Sequence, residues 1–242
     1  NAFVISADPV QVAGRPLAMS IAMWTNDGAD CFIDTNYNYS PHSLDVGIDR
    51  NAVLTSANNP SIGGTPIMEG APAAIDFDFQ TLPGQASFVV GNSDVGQFRL
   101  LVSDNTLQHS DTVIFGMSEV ITLRPFGIAV TNLVDTLTAT PNPANATAAN
   151  PVFTTAGHDL SAAVAGVLWD AADDADNDGV LDTGIYANNN VAPSFAWDTL
   201  LSVSLLASSY TPSPGTPGTL NNNSIALAEF SGGSALITDL QY

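Results

Sequence analysis

The sequence predicts an all-β protein made of tandem Ig-like antiparallel β-sandwich domains, and two patterns carry that prediction. Apolar residues recur at every second position in many short runs, as in LAMSIAM at residues 17–23, which is the period of a half-buried strand. Turn-forming clusters such as NNP at 58–60 and GG at 63–64 separate the runs. Because no segment keeps a helical period over a useful length, many short strands packed as a sandwich are expected.

Two pairs of similar segments indicate an internal repeat. AGRPL at residues 13–17 and AGHDL at 156–160 each open an alternating run. GQASFV at 84–89 is matched in the same way by GSALIT at 233–238. Self-similarity at such a long spacing is typical of repeated domains rather than of a short solenoid repeat.

The repeat predicts two sandwich domains, residues 1–124 and residues 125–242. In the first copy a further strand is expected at residues 94–100, and the second copy shows no counterpart before Tyr242. We therefore expect the second domain to lack its last strand, which would leave an unpaired edge and an open core. A longer polypeptide or a neighbouring chain would supply that strand.

Composition limits the classes of partner. The net charge is −20, with 24 acidic residues against four arginines and no lysine. Such a surface repels phosphate backbones and anionic headgroups, so binding to nucleic acid or to a membrane surface is not expected. The longest apolar stretches are far shorter than a membrane span, so direct membrane insertion is not expected either. Apolar residues make up 45% of the chain, which excludes a disordered acidic tail. Aspartate-rich, turn-rich β structure is typical of proteins outside the cytosol, and an extracellular location is predicted.

An acidic loop at residues 174–182 predicts a structural Ca²⁺ site. Its pattern, D-x-D-x-D-G-x-x-D, offers the oxygen ligands that a hard cation prefers, with Gly179 at the sharp turn. An EF-hand would carry a glutamate at the twelfth position, where Ile185 stands, so Asp170, Asp173, a water or another loop would complete the shell. The predicted ligands are four carboxylates and one main-chain carbonyl: Asp174, Asp176, Asp178, Asp182 and Val180. The alternative is a solvated acidic turn without a metal.

No group of residues predicts an enzyme. His109-Ser110-Asp111 contains the three residue types of a hydrolase triad, but neighbouring residues of an expected strand point to opposite faces. Asp76 and Asp78 lie two residues apart and resemble the carboxylate pair of a glycosidase, yet their alternation with apolar residues favours a solvent-facing polar side. The histidines lack metal-ligand spacing.

Aromatic residues and a single cysteine complete the candidates. Trp24, Trp169 and Trp197 could form a sugar-stacking platform, although core or interface positions are more common for tryptophan. Cys31 has no partner within the sequence, so no internal disulfide is possible.

Several segments together resemble the MshQ-like family of domains of unknown function, found in MSHA pilus biogenesis proteins. They are LRPFGI at 123–128, PVFTTAG at 151–157, WDAADDADNDGV at 169–180, FSGG at 230–233 and DVGQFRL at 94–100. The resemblance implies an exported, pilus-associated protein of Gram-negative bacteria and carries no catalytic residues. Members often have paired cysteines in the first domain, whereas Cys31 is alone here.

The leading hypothesis is a non-catalytic stalk of a bacterial surface adhesin, rigidified by calcium. Its partners would be flanking domains of the same polypeptide or neighbouring subunits. Two alternatives remain: a calcium-dependent carbohydrate-binding module that binds surface glycans, and a filament or surface-array subunit completed by a neighbouring chain.

Overall fold

A computed structural model describes residues 1–50, 58–107, 109–143, 152–155, 157–196, 202–204 and 220–241. The strands up to residue 124 form one hydrogen-bonded group. In chain order they are β1 (Ala2–Ser6), β2 (Val10–Val12), β3 (Leu17–Asn26), β4 (Cys31–Ile33), β5 (His42–Asp49), β6 (Ser61–Ile62), β7 (Thr65–Pro66), β8 (Ala73–Phe77), β9 (Gln85–Gly91), β10 (Gly96–Asp104), β11 (Ile114–Met117) and β12 (Ile121–Arg124).

Two long strands organise this first group. β3 pairs antiparallel with β1, β4 and β9, and β10 pairs antiparallel with β5, β11 and β12. Alternation along β3 buries Leu17, Met19, Ile21 and Met23, which belong to the same core cluster as the buried residues of β10. Full burial of each such side chain contributes about 1.5–3 kcal/mol to the free energy of folding through the hydrophobic effect. The prediction of an all-β sandwich is confirmed, whereas its Ig-like character stays a prediction.

Two pairings differ from the expected antiparallel pattern. β1 runs parallel to β11, with Phe3 opposite Gly116, and β2 runs parallel to β12. A side chain at Gly116 would lie 2.4 Å from the Phe3 carbonyl oxygen. Only glycine therefore lets the two strands approach at this point.

The remaining described strands form a second group. They are β13 (Gly127–Asp135), β14 (Thr140–Pro141), β15 (Asp159–Val167), β16 (Ser202–Ser204), β17 (Ser224–Ala226) and β18 (Ser234–Gln241), with 3₁₀ helices at Tyr186–Asn188 and Leu227–Glu229. One sheet has the order β14-β13-β15-β18, and β16 pairs with β17 separately. Within the described ranges, no helix has the length and apolar character needed to cross a membrane.

The repeated segments occupy equivalent places in the two groups. β3 pairs antiparallel with β9, and β15 pairs antiparallel with β18, so the segments that resemble each other in sequence also pair alike. No described strand of the second group corresponds to β10. Among the described side chains of this group, Val164 and Ile237 are buried, and the absence of a last strand stays a prediction. Phe195 covers β15 at Gly166, where a Cβ would lie 2.3 Å from its ring.

Candidate metal centre at the junction of the two strand groups

The acidic loop follows β15 and lies against the first strand group. Trp169, just after β15, donates its main-chain N–H to the carbonyl of Ala13 at 2.8 Å. A Cβ at Gly14 would lie 2.9 Å from the Trp169 nitrogen. The turn after β2 therefore needs glycine to admit the second group this closely.

Three of the predicted ligands converge. The carboxylates of Asp174, Asp176 and Asp182 offer oxygen atoms that all lie within 4.8 Å of one another. Asp174 is buried, whereas Asp176 and Asp182 are exposed. Carboxylate oxygens grouped on this scale can hold a divalent cation of the calcium or magnesium type.

Local hydrogen bonds hold the loop in shape. Asp174 accepts from the indole N–H of Trp169 at 2.6 Å and from the main-chain N–H groups of Gly179 at 2.8 Å and Asp178 at 3.0 Å. Asp182 accepts from Ala175 N–H at 2.8 Å, which joins the two ends of the loop. Gly179 has a φ of +86°, a conformation that favours glycine.

These donors keep Asp174 ionised. Burial is the largest single influence on its pKa and acts to raise it. The hydrogen bonds from Trp169, Gly179 and Asp178, together with the charge of Arg15, outweigh burial and hold the pKa below its ordinary value. The buried member of the cluster is thus negative at neutral pH and suited to a cation.

The two other predicted ligands have different surroundings. Asp178 accepts from Val180 N–H at 2.8 Å and is not one of the three converging carboxylates. The Val180 side chain is exposed. Ligation by Asp178 and by the Val180 carbonyl stays a prediction.

A fourth carboxylate beside the loop lacks compensation. Asp173 is buried, and its Oδ2 has no hydrogen-bond partner. Its Oδ1 occupies space that a side chain at Gly184 would fill, since a Cβ there would lie 2.2 Å away. A buried carboxylate without a donor is costly unless a cation or proton offsets its charge. The donor set around the loop therefore fits a hard divalent cation, and Asp173 was among the residues expected to complete it.

Two of the four arginines bind the loop from the first group. Arg15 donates from Nε to Asn177 Oδ1 at 2.9 Å and from Nη2 to the Asn177 carbonyl. Arg124 donates to the Gly179 carbonyl at 3.4 Å. The loop is thus a contact between the two strand groups as well as a cluster of acids.

A second contact crosses the same junction. Asp94, before β10, accepts from Ser194 through its main-chain N–H at 2.9 Å and its hydroxyl at 2.7 Å. Asp94 is almost fully buried. Asp94 belongs to the first strand group and Ser194 to the second. The two groups are therefore joined by hydrogen bonds at two places, the acidic loop and this aspartate.

Each of the three histidines pairs with an aspartate, which the sequence did not indicate. Ring nitrogens of His42, His109 and His158 lie 2.9, 2.8 and 2.9 Å from carboxylates. The partners are Asp104, Asp34 and Asp135 respectively. Since the partners are 62, 75 and 23 residues away, local spacing gave no signal of them.

The triad-like segment has a structure different from the expected one. Residues 109–111 lie in the irregular segment between β10 and β11, not on a strand. His109 bonds to Asp34 instead of its neighbours and packs edge-on against Tyr37, with ring centroids 5.1 Å apart. Tyr37 also donates its hydroxyl to Asp104 at 2.8 Å. These residues form a buried polar cluster in the first core.

The other catalytic and aromatic candidates are also dispersed. Asp76 is exposed on β8, which ends at Phe77. Asp78 lies beyond the strand and accepts from Thr81 N–H and hydroxyl, bonds that lower its pKa to about 2. Trp24 and Trp169 lie in different strand groups, and Trp197 is outside the described residues.

The comparisons with known proteins support one family. Residues 124–236 match the family model described as DUF6701, second domain. This range begins at the last residue of β12 and includes the acidic loop. No curated protein and no solved structure matches the chain. The match supports a family of unknown function for this part of the chain, and a pilus association remains a prediction.

Proposed function

We propose that this chain is a non-catalytic stalk segment of an exported bacterial surface or pilus-associated protein, in which bound Ca²⁺ stiffens the junction between two β domains. The observation that carries the proposal is the double role of the acidic loop. Its carboxylates converge, and its main chain is held by Arg15 and Arg124 of the other strand group.

Calcium would act through the protein's own residues. Asp174, Asp176 and Asp182 would hold the ion, with Asp173, Asp178 and the Val180 carbonyl as further candidates. The ion would supply positive charge to a loop whose carboxylates otherwise repel one another. Its binding would fix the main-chain carbonyls that Arg15 and Arg124 contact, so that the two domains keep one orientation.

A stalk also agrees with the rest of the molecule. The extended strands, the aspartate-rich surface and the contact between Asp94 and Ser194 suit a rigid connecting element. The resemblance to MshQ-like proteins supports a surface or pilus context, and residues 124–236 match the second domain of DUF6701, a family of unknown function. Its partners would be flanking domains of the same polypeptide or neighbouring subunits.

Calcium titration calorimetry tests the proposal. One Ca²⁺ site is expected, and Asp176→Asn should weaken it at least tenfold while keeping the acceptor oxygen for Asp178 N–H. Asp76→Asn is the matched control, since it removes one exposed charge from β8. X-ray scattering should show a narrower range of interdomain orientations with Ca²⁺ than with EDTA. Absence of binding, or equal affinity in the Asp176→Asn variant, would refute the metal site.

A further inference from the structure

A row of three side chains crosses the outer face of the first strand group. Asp45 on β5 is opposite Ser103 on β10, and Ser103 is opposite Phe115 on β11. Neighbouring strands are about 4.8 Å apart, so the row is roughly 10 Å long. Phe115 is 52% exposed, unusually open for an aromatic ring. The row therefore presents a carboxylate, a hydroxyl and an aromatic ring to solvent in line.

A cleft lies along this row. It has a volume of about 280 Å³ and is also lined by Gly47, Leu101 and Pro72. Gly47 has no side chain to fill the cleft, and a Cβ at this position would lie 3.7 Å from the Pro72 ring. Pro72, Leu101 and Phe115 are thus apolar residues that line the cleft.

The polar end of the cleft is held in place. Asn105 donates its amide N–H to Asp45 Oδ2 and lies 3.4 Å from the Ser103 hydroxyl. This contact orients the carboxylate and leaves its Oδ1 without a hydrogen bond to a described residue. The cleft combines a fixed acceptor, a hydroxyl and an exposed ring, the mixture by which apolar pockets orient a ligand.

Charge narrows the class of ligand. The residues that line the cleft include Asp45 and no basic side chain, and the whole chain carries a net charge of −20. Anionic ligands are therefore repelled. A ligand with many hydroxyl donors and an apolar face fits both the acceptors and the ring, since the face of an aromatic ring attracts positively polarised C–H groups.

We propose that this cleft binds a neutral oligosaccharide, with one sugar ring stacked on Phe115 and its hydroxyls bonded to Asp45 and Ser103. This site is separate from the acidic loop and does not depend on the stalk proposal. It also differs from a calcium-dependent sugar site, because no residue of the loop lines the cleft.

Affinity electrophoresis and calorimetry with cellohexaose, chitohexaose, maltohexaose and α-mannan test the proposal. At least one of these should bind, and Phe115→Ala should weaken that binding about tenfold or more, as expected for loss of a central aromatic contact. F115W should retain binding and report it through a change in tryptophan fluorescence. Phe32→Ala is the matched control, because Phe32 is a similarly exposed phenylalanine on β4.

Three results would overturn the proposal. The first is that none of the four saccharides binds. The second is that Phe115→Ala and Phe32→Ala bind as the unmodified chain does. The third is binding that survives Phe115→Ala and disappears in EDTA, which would locate the sugar at the acidic loop. Circular dichroism of each variant establishes that loss of binding is not loss of fold.

Discussion

Gly179→Ala provides a sharp test of the contact between the acidic loop and the first strand group. Gly179 has a φ of +86°, and a Cβ there would lie 3.0 Å from Val12 Cγ2 and 3.3 Å from Arg15 Nη1. The substitution therefore strains the loop backbone and also presses the loop against the opposite strand group.

The two costs can be separated. An alanine in the left-handed region costs about 1–2 kcal/mol of the free energy of unfolding. Crowding a packed contact by one methyl adds about 1–3 kcal/mol, near the lower limit when neighbours can shift. Gly64→Ala carries the first cost alone, because Gly64 has a φ of +84° and nothing within 4 Å of its Cβ position. We therefore expect Gly179→Ala to exceed Gly64→Ala by about 1 kcal/mol or more.

Urea unfolding followed by tryptophan fluorescence measures both variants. Val12 lies on β2 and is buried, so Val12→Ala removes the crowded methyl group from the other side of the junction. In that background the excess cost of Gly179→Ala should fall close to zero, as coupling between contacting residues requires. Equal costs for Gly179→Ala and Gly64→Ala, or an excess unchanged by Val12→Ala, would refute the described junction.

Three further predictions concern buried polar groups. Trp169→Phe removes the indole donor to the buried carboxylate of Asp174 and should lower the free energy of unfolding in EDTA by about 1–3 kcal/mol. Trp24→Phe is the control, because the indole N–H of Trp24 bonds to no described residue, and it should lower that free energy by less. Equal losses for the two variants in urea unfolding would contradict this. Tyr37→Phe removes a buried hydroxyl bonded to Asp104 and should lower the free energy of unfolding by about 1–2 kcal/mol, whereas Tyr39→Phe should leave it nearly unchanged. The reverse order in thermal unfolding would contradict the hydrogen bond from Tyr37 to Asp104. Burial is the largest influence on the pKa of Asp104 and raises it, but hydrogen bonds from neighbouring donors leave that pKa below its ordinary value of 3.8. The stabilising effect of ionised Asp104 is therefore complete above about pH 4–5 and is lost as pH falls through the lowered pKa. The free energy of unfolding measured in urea should decline below about pH 4. A free energy that stays constant down to about pH 2 would contradict this.

Local patterns predicted much of the fold. Alternation along residues 17–23 predicted β3, and the similar segments at residues 84–89 and 233–238 fall at β9 and β18, which pair in the same way with β3 and β15. These features are local because a strand's period is set by neighbours two residues apart. The parallel pairing of β1 with β11 had no such signal, since it joins strands more than a hundred residues apart.

The candidate site was predictable in part. The acidic spacing identified Asp174, Asp176 and Asp182, which do converge. That the loop contacts the first strand group could not be foreseen, because Arg15 and Asn177 are 162 residues apart. The expectation of a strand at residues 109–111 was wrong, because this segment is irregular and His109 bonds to the distant Asp34. Tertiary contacts of this kind override local pattern.

The measurement that tests the central claim most directly is a thermal unfolding curve in 10 mM Ca²⁺ and again in EDTA. For a dissociation constant of about 10⁻⁴ M, within the range of extracellular calcium modules, this concentration stabilises the folded state by about 2.7 kcal/mol. In a chain of this size that corresponds to a rise in Tm of roughly 5–10 °C. The stalk account predicts such a rise for the unmodified chain and its loss in Asp176→Asn. Superimposable curves in Ca²⁺ and EDTA would contradict it.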